Sequence, residues 1–211
     1  MRPYIFFIML ISPFVLKSQT GIEKNGVVEV EAENFNNQTL DEIRKWYLIK
    51  GKSNPDTLES RKLKEASGNS YIKILPDTRI GHSDPLINGE NFSNEPGKMA
   101  IISYSIEFQN TGRYYVWARV FSTGTEDNGV HVGLDGEWPE SGQRMQWCED
   151  KFSWTWASKQ RTQEEHCGEE RLIYLDIESA GIHQIMFSMR EDGFSMDKWR
   201  MVLNYDQTYD Y

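Results

Sequence analysis

Three glutamates stand at alternate positions near the start of the chain, in the stretch EVEAENF. Because side chains alternate in a β-strand, Glu29, Glu31 and Glu33 would share one face. Three carboxylates on one face repel each other unless a cation or basic side chains lie among them. Calcium, which takes about six to eight oxygen ligands, suits such a set. Asp197 would join it if the first and last strands are neighbours. A solvated acidic face paired with lysines is the alternative.

Four of the seven tryptophans fall between positions 138 and 156, in a stretch with the composition of a loop. Aromatic rings offer rigid, half-apolar surface at small entropic cost. A sugar ring has an apolar C–H face that suits such a surface, and nearby basic side chains can bind its hydroxyl groups. The predicted ligand contacts here are Trp138, Arg144, Trp154 and Trp156, with Lys159 and Arg161 nearby. The alternative is that the tryptophans fold inward, as we expect for Trp147.

A further charged cluster, REDGF, follows a strand-like segment and contains a glycine turn. It places Arg190 and Asp192 on a strand-end loop, where both are predicted to contact a ligand. The same residues also suit a charged hairpin turn, and the two interpretations are compatible. No catalytic residue is predicted, because the sequence has no serine elbow, HExxH or Walker motif. Its acids are too many and too scattered to single out a catalytic pair.

The two cysteines, Cys148 and Cys167, are predicted to form a disulfide in an exported protein. The bridge would close a loop of about 20 residues and add roughly 3 kcal/mol in the chain-entropy model. Two free thiols are the alternative. A zinc site that combines the cysteines with His131 and His166 matches no familiar ligand spacing.

The N-terminus has the pattern of a secretory signal peptide. Arg2 precedes an apolar block from Tyr4 to Leu16, and small and polar residues follow. The block is short for a membrane span, although an uncleaved anchor is the alternative. The sequence therefore predicts a protein that is secreted, periplasmic or held at the cell surface.

Acidic residues outnumber basic ones, and the formal net charge is −9. Cleavage after residue 18 would remove Arg2 and Lys17 but no acid, which leaves a charge of −11. This balance argues against nucleic acid and anionic membrane as partners, because phosphate binding needs a basic face. Neutral and sulfated glycans stay allowed, since one or two arginines can bind them locally.

Apolar and polar residues alternate with period two in many segments after residue 26. The segments are GVVEVEAENF, MAIISYSIEF, GRYYVWARVF, GVHVGLDG, RLIYLDIE, GIHQIMFSMR and SMDKWRMVLN. Such runs, separated by Gly, Asn and Asp, are typical of an all-β antiparallel sandwich. Residues 40–48 suit one or two helical turns or an edge strand, and residues 49–70 suit a solvated connection. Residues 76–98 predict a long loop of the kind that often carries function.

The predicted division of the chain has three parts. Residues 1–20 form the signal peptide, residues 21–204 form a single β-sandwich domain, and residues 205–211 form a tail. A mature chain of about 190 residues is long enough for one domain with a substantial core.

Three motifs resemble the frame of family 6 and family 35 carbohydrate-binding modules and of the related C-terminal domain of family 115 glycoside hydrolases. They are VEVEAENF, GRYYVWARV and GIHQIMFSMREDGFSMDKW, in that order within residues 27–204. The resemblance implies a jelly-roll β-sandwich with long loops and aromatic ligand contacts at its loop end. It also implies a structural calcium, with Glu31, Glu33 and Asp197 at the matching positions. The chain departs from the pattern at Ser195, where such modules often carry a sugar-binding asparagine.

The sequence thus predicts a secreted, non-catalytic module that binds a polysaccharide or oligosaccharide through a Trp-rich loop surface. A secreted polysaccharide-degrading enzyme is a further expected partner, because modules of this type normally accompany one. Two alternatives stay open. One is a polysaccharide-active lyase or hydrolase that uses the same cleft, and the other is a cell-surface protein-interaction module.

Overall fold

The computed structural model describes residues 20–40, 43–51 and 57–205, so the predicted signal peptide and tail lie almost entirely outside the described residues. The strands in these ranges are β1 (Gly21–Ile22), β2 (Val27–Glu31), β3 (Asn37–Gln38), β4 (Lys45–Lys50), β5 (Ser70–Leu75), β6 (Ile102–Phe108), β7 (Gly112–Phe121), β8 (Gly129–Leu134), β9 (Met145–Gln146), β10 (Trp154–Ala157), β11 (Lys159–Gln160), β12 (Glu169–Glu170), β13 (Tyr174–Ile177), β14 (Gly181–Met189) and β15 (Ser195–Val202). The helix α1 spans Leu58–Glu65, and short 3-10 helices span Ala32–Asn34, Ser67–Asn69 and Glu140–Gly142.

The strands form two sheets that pack face to face. The first sheet has the order β1-β6-β14-β8-β9-β11-β12, with β3 also paired to β6. The second sheet has the order β10-β7-β15-β5-β4, with β13 paired to β7 and β2 to β15. The pairings are antiparallel except for the short parallel contact between β1 and β6. The predicted antiparallel β-sandwich is therefore confirmed.

Strand β7 shows how the sequence pattern builds the core between the sheets. Tyr114, Val116 and Ala118 point inward and are fully buried. Tyr115 and Trp117, on the opposite face, are half-buried on the outside of the second sheet. Burial of apolar side chains at about 25 cal/mol per Å² drives this arrangement, because only one face of each strand can reach the other sheet.

The first long strand and the last strand are neighbours, as the sequence predicts. Strands β2 and β15 pair antiparallel, with Glu31 opposite Lys198 and Glu29 opposite Arg200. The pairing places the acidic residues of β2 beside basic residues of β15. Asp197 of β15 lies close to the same acidic group.

The edge-strand alternative for residues 40–48 is confirmed, whereas the expectation for residues 49–70 needs correction. The segment that suited a helix or an edge strand contains β4, which lies at the edge of the second sheet, while residues 41–42 lie outside the described residues. The solvated connection predicted for residues 49–70 is wrong, because α1 and the start of β5 lie there. The Thr57 side chain caps α1 by accepting a hydrogen bond from the Ser60 backbone at 3.1 Å.

Helix α1 covers the outer face of the second sheet. Leu63 and Ala66 pack with Tyr71 into a second, small hydrophobic cluster, against which Ile49 and Trp154 also pack. The helix has few apolar residues, and they gain their burial only through this contact with distant strands. Within the described residues, no helix has the length and apolar character needed to cross a membrane.

Candidate functional site

A cleft of about 510 Å³ opens at the end of the sandwich where β5, β7 and β14 finish. Four loops line it, with residues from 79–92, 125–126, 161–166 and 190–191, and Gln146 of β9 completes it. It is larger than a cleft of about 360 Å³ beside Asp135 and one of about 220 Å³ beside Glu29. The predicted long loop and the predicted strand-end loop therefore meet at one site.

Two buried ion pairs form the floor of this cleft. Arg79 pairs with Glu126, and Arg190 pairs with Glu191 at 3.0 Å between Nη1 and Oε1. The Arg190 side chain also donates to Gln146 Oε1 at 2.7 Å. All four charged side chains are more than nine-tenths buried. Buried charges of this kind are stable only when paired. The pair of Arg79 and Glu126 joins two of the loops, whereas Arg190 and Glu191 are neighbours within one loop.

The rim of the cleft combines apolar and basic groups. Leu86 is exposed and Phe92 is half-buried, and both line the opening. The Arg190 guanidinium lies 4.9 Å from the Phe92 ring centroid. His82 and His166 are exposed, and Arg161 is half-buried. The opening thus presents a partly apolar surface beside several hydrogen-bond donors.

Asp192 does not face this cleft, although the sequence places it among the ligand contacts. It is fully buried, and its Oδ2 accepts from Arg44 Nη2 at 3.0 Å, the Thr78 backbone at 2.9 Å and Thr78 Oγ1 at 2.8 Å. Its Oδ1 accepts from the Arg79 backbone at 3.4 Å. Asp192 is therefore a positioning residue that fixes the segment from which Arg79 reaches the floor.

The long loop between β5 and β6 is held by its own hydrogen bonds. Asn91 is buried, accepts from the Ile87 backbone at 2.8 Å and donates to the Pro85 carbonyl at 3.0 Å. Asp84 accepts from the Ile80 and Gly81 backbones at 2.9 and 2.8 Å. A loop ordered in this way pays less conformational entropy when a ligand binds.

The predicted disulfide between Cys148 and Cys167 is confirmed, with the two Cα atoms 5.1 Å apart. It ties Cys148, two residues after the end of β9, to the loop between β11 and β12. That loop carries Arg161 and His166, so the bridge holds one wall of the cleft.

We expect loss of this bridge to destabilise the fold. Replacing both Cys148 and Cys167 by serine should lower the free energy of unfolding by roughly 3 kcal/mol, since the bridge closes a loop of 19 residues. Urea unfolding with and without dithiothreitol measures the effect. The reductant should destabilise the wild type and leave the double variant unchanged. Equal stability of the oxidised wild type and the double serine variant would contradict the expectation.

The four tryptophans of the predicted loop surface do not form one surface. Trp138 packs outside the first sheet against Gly97 and Gly133, where a Cβ atom on Gly97 would overlap its ring. Trp154 and Trp156 lie on β10, on the outside of the second sheet. Trp147 is 1% exposed and packs against Phe194 with ring centroids 5.9 Å apart, so its predicted inward position is confirmed.

Trp154 has a structural environment. Its Nε1 donates to the Lys62 carbonyl of α1 at 3.0 Å, and its ring lies 5.3 Å from Tyr71 and 5.5 Å from Phe121. Trp156 is half-buried beneath the Arg200 guanidinium, which lies 4.7 Å from its ring centroid.

Arg190 is therefore the one predicted ligand residue that lines the cleft, among the residues that the structure describes. Arg144 pairs with Glu140, and its backbone donates to His131 Nδ1 at 3.1 Å. Arg79, Phe92 and Glu126 also line the cleft, and the sequence pattern did not predict them. The length and proline content of the loop at residues 76–98 is the only sequence signal that pointed towards two of them.

Ser195, at the position where the resembling modules often carry a sugar-binding asparagine, is buried. It is 1% exposed, and its Oγ accepts from Lys62 Nζ of α1 at 3.1 Å. Helix α1 covers this position, so a ligand cannot reach it without displacement of α1.

The acids predicted to bind calcium gather around the 3-10 turn at Ser67–Asn69. The Ser67 hydroxyl donates to Glu31 Oε1 at 2.8 Å, its backbone donates to Asp197 Oδ1 at 2.8 Å, and Ser70 donates to Glu33. One oxygen of Glu31 and one of Glu33 are buried without a hydrogen-bond partner. Such orphaned carboxylate oxygens fit a cation, because burial without a partner is costly.

Asp197 fits calcium less well than the two glutamates. Its second oxygen forms an ion pair with Arg119, and Lys198 lies 3.3 Å from Glu31 Oε1. Within the described ranges, no group of three His, Cys, Asp or Glu side chains is arranged to hold a metal ion. Glu31 and Glu33 therefore each keep one carboxylate oxygen that a cation could take up, whereas Asp197 is already neutralised by Arg119.

The histidines and cysteines do not form the zinc set that the sequence made conceivable. His131 is buried and fully bonded, with Nε2 donating to the Ser93 carbonyl at 3.1 Å. Burial lowers the pKa of His131 to about 4 and keeps the imidazole neutral. Both cysteine sulfurs are consumed by the disulfide.

Comparison with known proteins finds a curated relative by sequence and several similar solved structures. No protein-family model matches the chain. The uncharacterized protein P23 of Formosa agariphila is 52% identical over 199 residues, which cover 91% of this chain and 47% of that protein. The chain therefore spans about half the length of this curated relative.

Solved structures similar to the chain include carbohydrate-binding modules. One is the C-terminal family 6 module of the laminarinase LamC from Zobellia galactanivorans, with 16% identity and a TM-score of 0.44 over 83% of this chain and 98% of the module. Another is a family 35 module from Clostridium thermocellum, with 13% identity and a TM-score of 0.46 over 83% and 96%. A third is a Podospora anserina mannanase with a family 35 module, with 14% identity and a TM-score of 0.48 over 87% and 29%.

Proposed function

We propose that the protein binds a glycan without cleaving it, and that the cleft at the end of the sandwich is the binding site. The observation that carries this proposal is the make-up of the cleft, in which Phe92 and Leu86 offer apolar surface beside the donors of Arg161, Arg190 and Gln146. A sugar ring has the matching pair of surfaces, an apolar C–H face and a rim of hydroxyl groups.

The rigidity of the walls supports this proposal. The disulfide, the buried ion pairs and the hydrogen bonds of Asn91 hold the four loops before any ligand arrives. Pre-ordered walls lower the entropic cost of binding. The half-buried Trp138 and Trp156 lie on two different faces of the sandwich, so we assign them no part in this cleft.

Affinity electrophoresis and calorimetry against plant and algal polysaccharides test the proposal. We expect at least one polysaccharide to retard the folded protein, and Phe92→Ala to weaken that binding about tenfold while the protein stays folded. Trp156→Ala, on the outside of the second sheet, is the matched control and should bind normally. Failure of the folded protein to bind any polysaccharide in the panel would overturn the proposal.

An exported protein is part of the same proposal. The disulfide suits an oxidising compartment, and the N-terminal sequence pattern suits a signal peptide. The chain spans about half the length of its curated relative. We also propose that it associates with a secreted polysaccharide-degrading enzyme. Co-purification tests this association.

We also propose that calcium binds at Glu31 and Glu33, where the two orphaned carboxylate oxygens lie. Calcium at 100 times its Kd should then add about 2.7 kcal/mol to the free energy of unfolding. For a domain of this size, that gain raises the melting temperature by roughly 5–10 °C. Differential scanning calorimetry in calcium and in EGTA measures the shift.

Two variants separate a calcium site from a general charge effect. Glu33→Gln should abolish the calcium-dependent shift, because it removes a proposed ligand. Glu29→Gln should keep the shift, because both carboxylate oxygens of Glu29 pair with Lys198 or Arg200 and neither is among the buried oxygens without a partner. An unchanged melting temperature of the wild type in calcium and EGTA would show that basic side chains alone balance these acids.

A polysaccharide-active enzyme is the second candidate, because Glu126 and Glu191 line the same cleft. Burial raises the pKa of Glu191, as expected for a carboxyl group that could act as an acid. Against this role, each glutamate is already paired with an arginine. Release of reducing ends or unsaturated products from the panel, lost in Glu191→Gln, would favour the enzyme over the binding module.

A further inference from the structure

We propose that the ligand of the cleft is an anionic glycan, and that Arg161 and Arg190 bind its carboxylate or sulfate groups. The proposal rests on the proposed function and specifies the chemistry of its ligand. It starts from the arginines that line the cleft, which are Arg79, Arg161 and Arg190.

Arg161 is available for a charged ligand. Within the described ranges, its guanidinium has no ion pair or hydrogen bond, and only its backbone is engaged, through a bond to the Arg144 carbonyl at 2.9 Å. A half-buried guanidinium without an acidic partner attracts an anion that can take two of its N–H groups at once.

The two arginines of the floor also keep unused donors. Both side chains are more than nine-tenths buried, and the Nε atoms of Arg79 and Arg190 have no hydrogen-bond partner. A buried donor that stays unpaired is costly, and native proteins rarely leave one without a ligand or water. The floor and the rim therefore both hold guanidinium donors without a hydrogen-bond partner among the described residues.

The charge balance of the cleft is the reverse of that of the whole protein. Its three arginines exceed its two glutamates, while the chain carries a net charge of −9. His166 reports the same local field, because burial and then the positive charges of Arg161 and Arg190 lower its pKa. A neutral sugar would leave this excess positive charge desolvated and unpaired, whereas an acidic sugar would neutralise it.

Uronate carboxylates and sulfate esters share this recognition chemistry, so the test needs an arm for each. Alginate and polygalacturonate carry carboxylates, dextran sulfate and carrageenan carry sulfates, and dextran and laminarin are neutral. We expect binding to one of the charged classes. Carboxyl reduction or desulfation of the bound polysaccharide should then weaken binding at least tenfold.

Variants test whether Arg161 carries this preference. Arg161→Ala should weaken binding to the charged polysaccharide by about 10–100-fold, the loss expected for a charge-assisted hydrogen bond. Arg161→Lys should recover part of the affinity, because lysine keeps the charge and loses the planar fork. Arg113→Ala, on the outside of the second sheet, is the matched control and should bind like the wild type. Unfolding curves check that each variant is folded.

The outcomes separate this inference from the proposed function. Binding to neutral glycans alone, unaffected by Arg161→Ala, would overturn the anionic preference and leave the glycan-binding function standing. Equal losses in Arg161→Ala and Arg113→Ala would overturn the assignment of Arg161, because the attraction would then be a general charge effect. Failure to bind any polysaccharide would overturn the proposed function itself.

Discussion

Replacing Asp192 by alanine should lower the free energy of unfolding by about 3–5 kcal/mol, the loss expected when one partner of a buried ion pair is removed. Arg44 and Asp192 are 2% and 0% exposed, and Arg44 would stay buried without its counter-charge. The backbones of Thr78 and Arg79 would lose their acceptor at the same time. Urea unfolding at pH 7 measures the loss.

The same variant should also weaken glycan binding, because Arg79 would no longer be fixed in the floor of the cleft. Asp176→Ala is the matched control, since its pair with Arg113 is exposed and surface pairs contribute little. Asp192→Asn should lie between the two, because the amide keeps the shape and loses the charge. A loss in Asp192→Ala no larger than in Asp176→Ala would contradict a structural role for Asp192.

Replacing Lys62 by methionine should stabilise the protein at pH 7 by about 1–2 kcal/mol. Lys62 is 4% exposed on the inner side of α1, and its Nζ contacts Ser195 and the rings of Tyr71 and Phe121. Burial, followed by repulsion from Lys73, lowers the pKa of Lys62 from 10.5 to about 8. A drop of this size disfavours the charged form by about 3 kcal/mol, and the ring contacts offset part of what methionine would regain.

The stability gained by Lys62→Met should depend on pH. Between pH 8 and 10.5 the unfolded chain holds a proton on Lys62 that the folded protein has released, so the contribution of Lys62 to stability rises with pH in that window. The advantage of Lys62→Met should therefore be greatest below pH 8 and shrink towards pH 10.5. Unfolding curves of both proteins at pH 7 and pH 10 measure the difference. A difference that does not change with pH would contradict the assignment.

Much of the sandwich could be predicted from the sequence, because strand formation at its centre depends on local alternation. The segment GRYYVWARVF matches β7 at both ends, and its inward residues Tyr114, Val116 and Ala118 are the ones that alternation selects. The segment GIHQIMFSMR matches β14 to within one residue. The disulfide was also accessible, since two cysteines allow a single intramolecular pairing.

The helix α1 could not be predicted in the same way. Its sequence LESRKLKE has a single strongly buried apolar residue, Leu63, and buries Lys62 and Ser60 beside it. These residues gain a partner only because β5, β7 and β10 place Tyr71, Phe121 and Trp154 beneath them. The local sequence around α1 does not predict that contact with distant strands.

The positions of the tryptophans also could not be predicted from the local sequence. Their clustering between positions 138 and 156 suggested one surface, yet strand order sends Trp138 to the outside of the first sheet and Trp156 to the outside of the second. Nearness in sequence did not become nearness in space, because β10 belongs to a different sheet from β8 and β9.

The sequence by itself determined the sandwich class, the inward faces of its central strands, the cysteine pair and the acidic character of the chain. These features depend on composition and on the period-two pattern of neighbouring residues. Only the tertiary structure decided the cleft, because its lining residues come from loops that are far apart in the sequence, as the pair of Arg79 with Glu126 shows. Contacts over such separations follow from strand order and sheet packing, which no local pattern encodes.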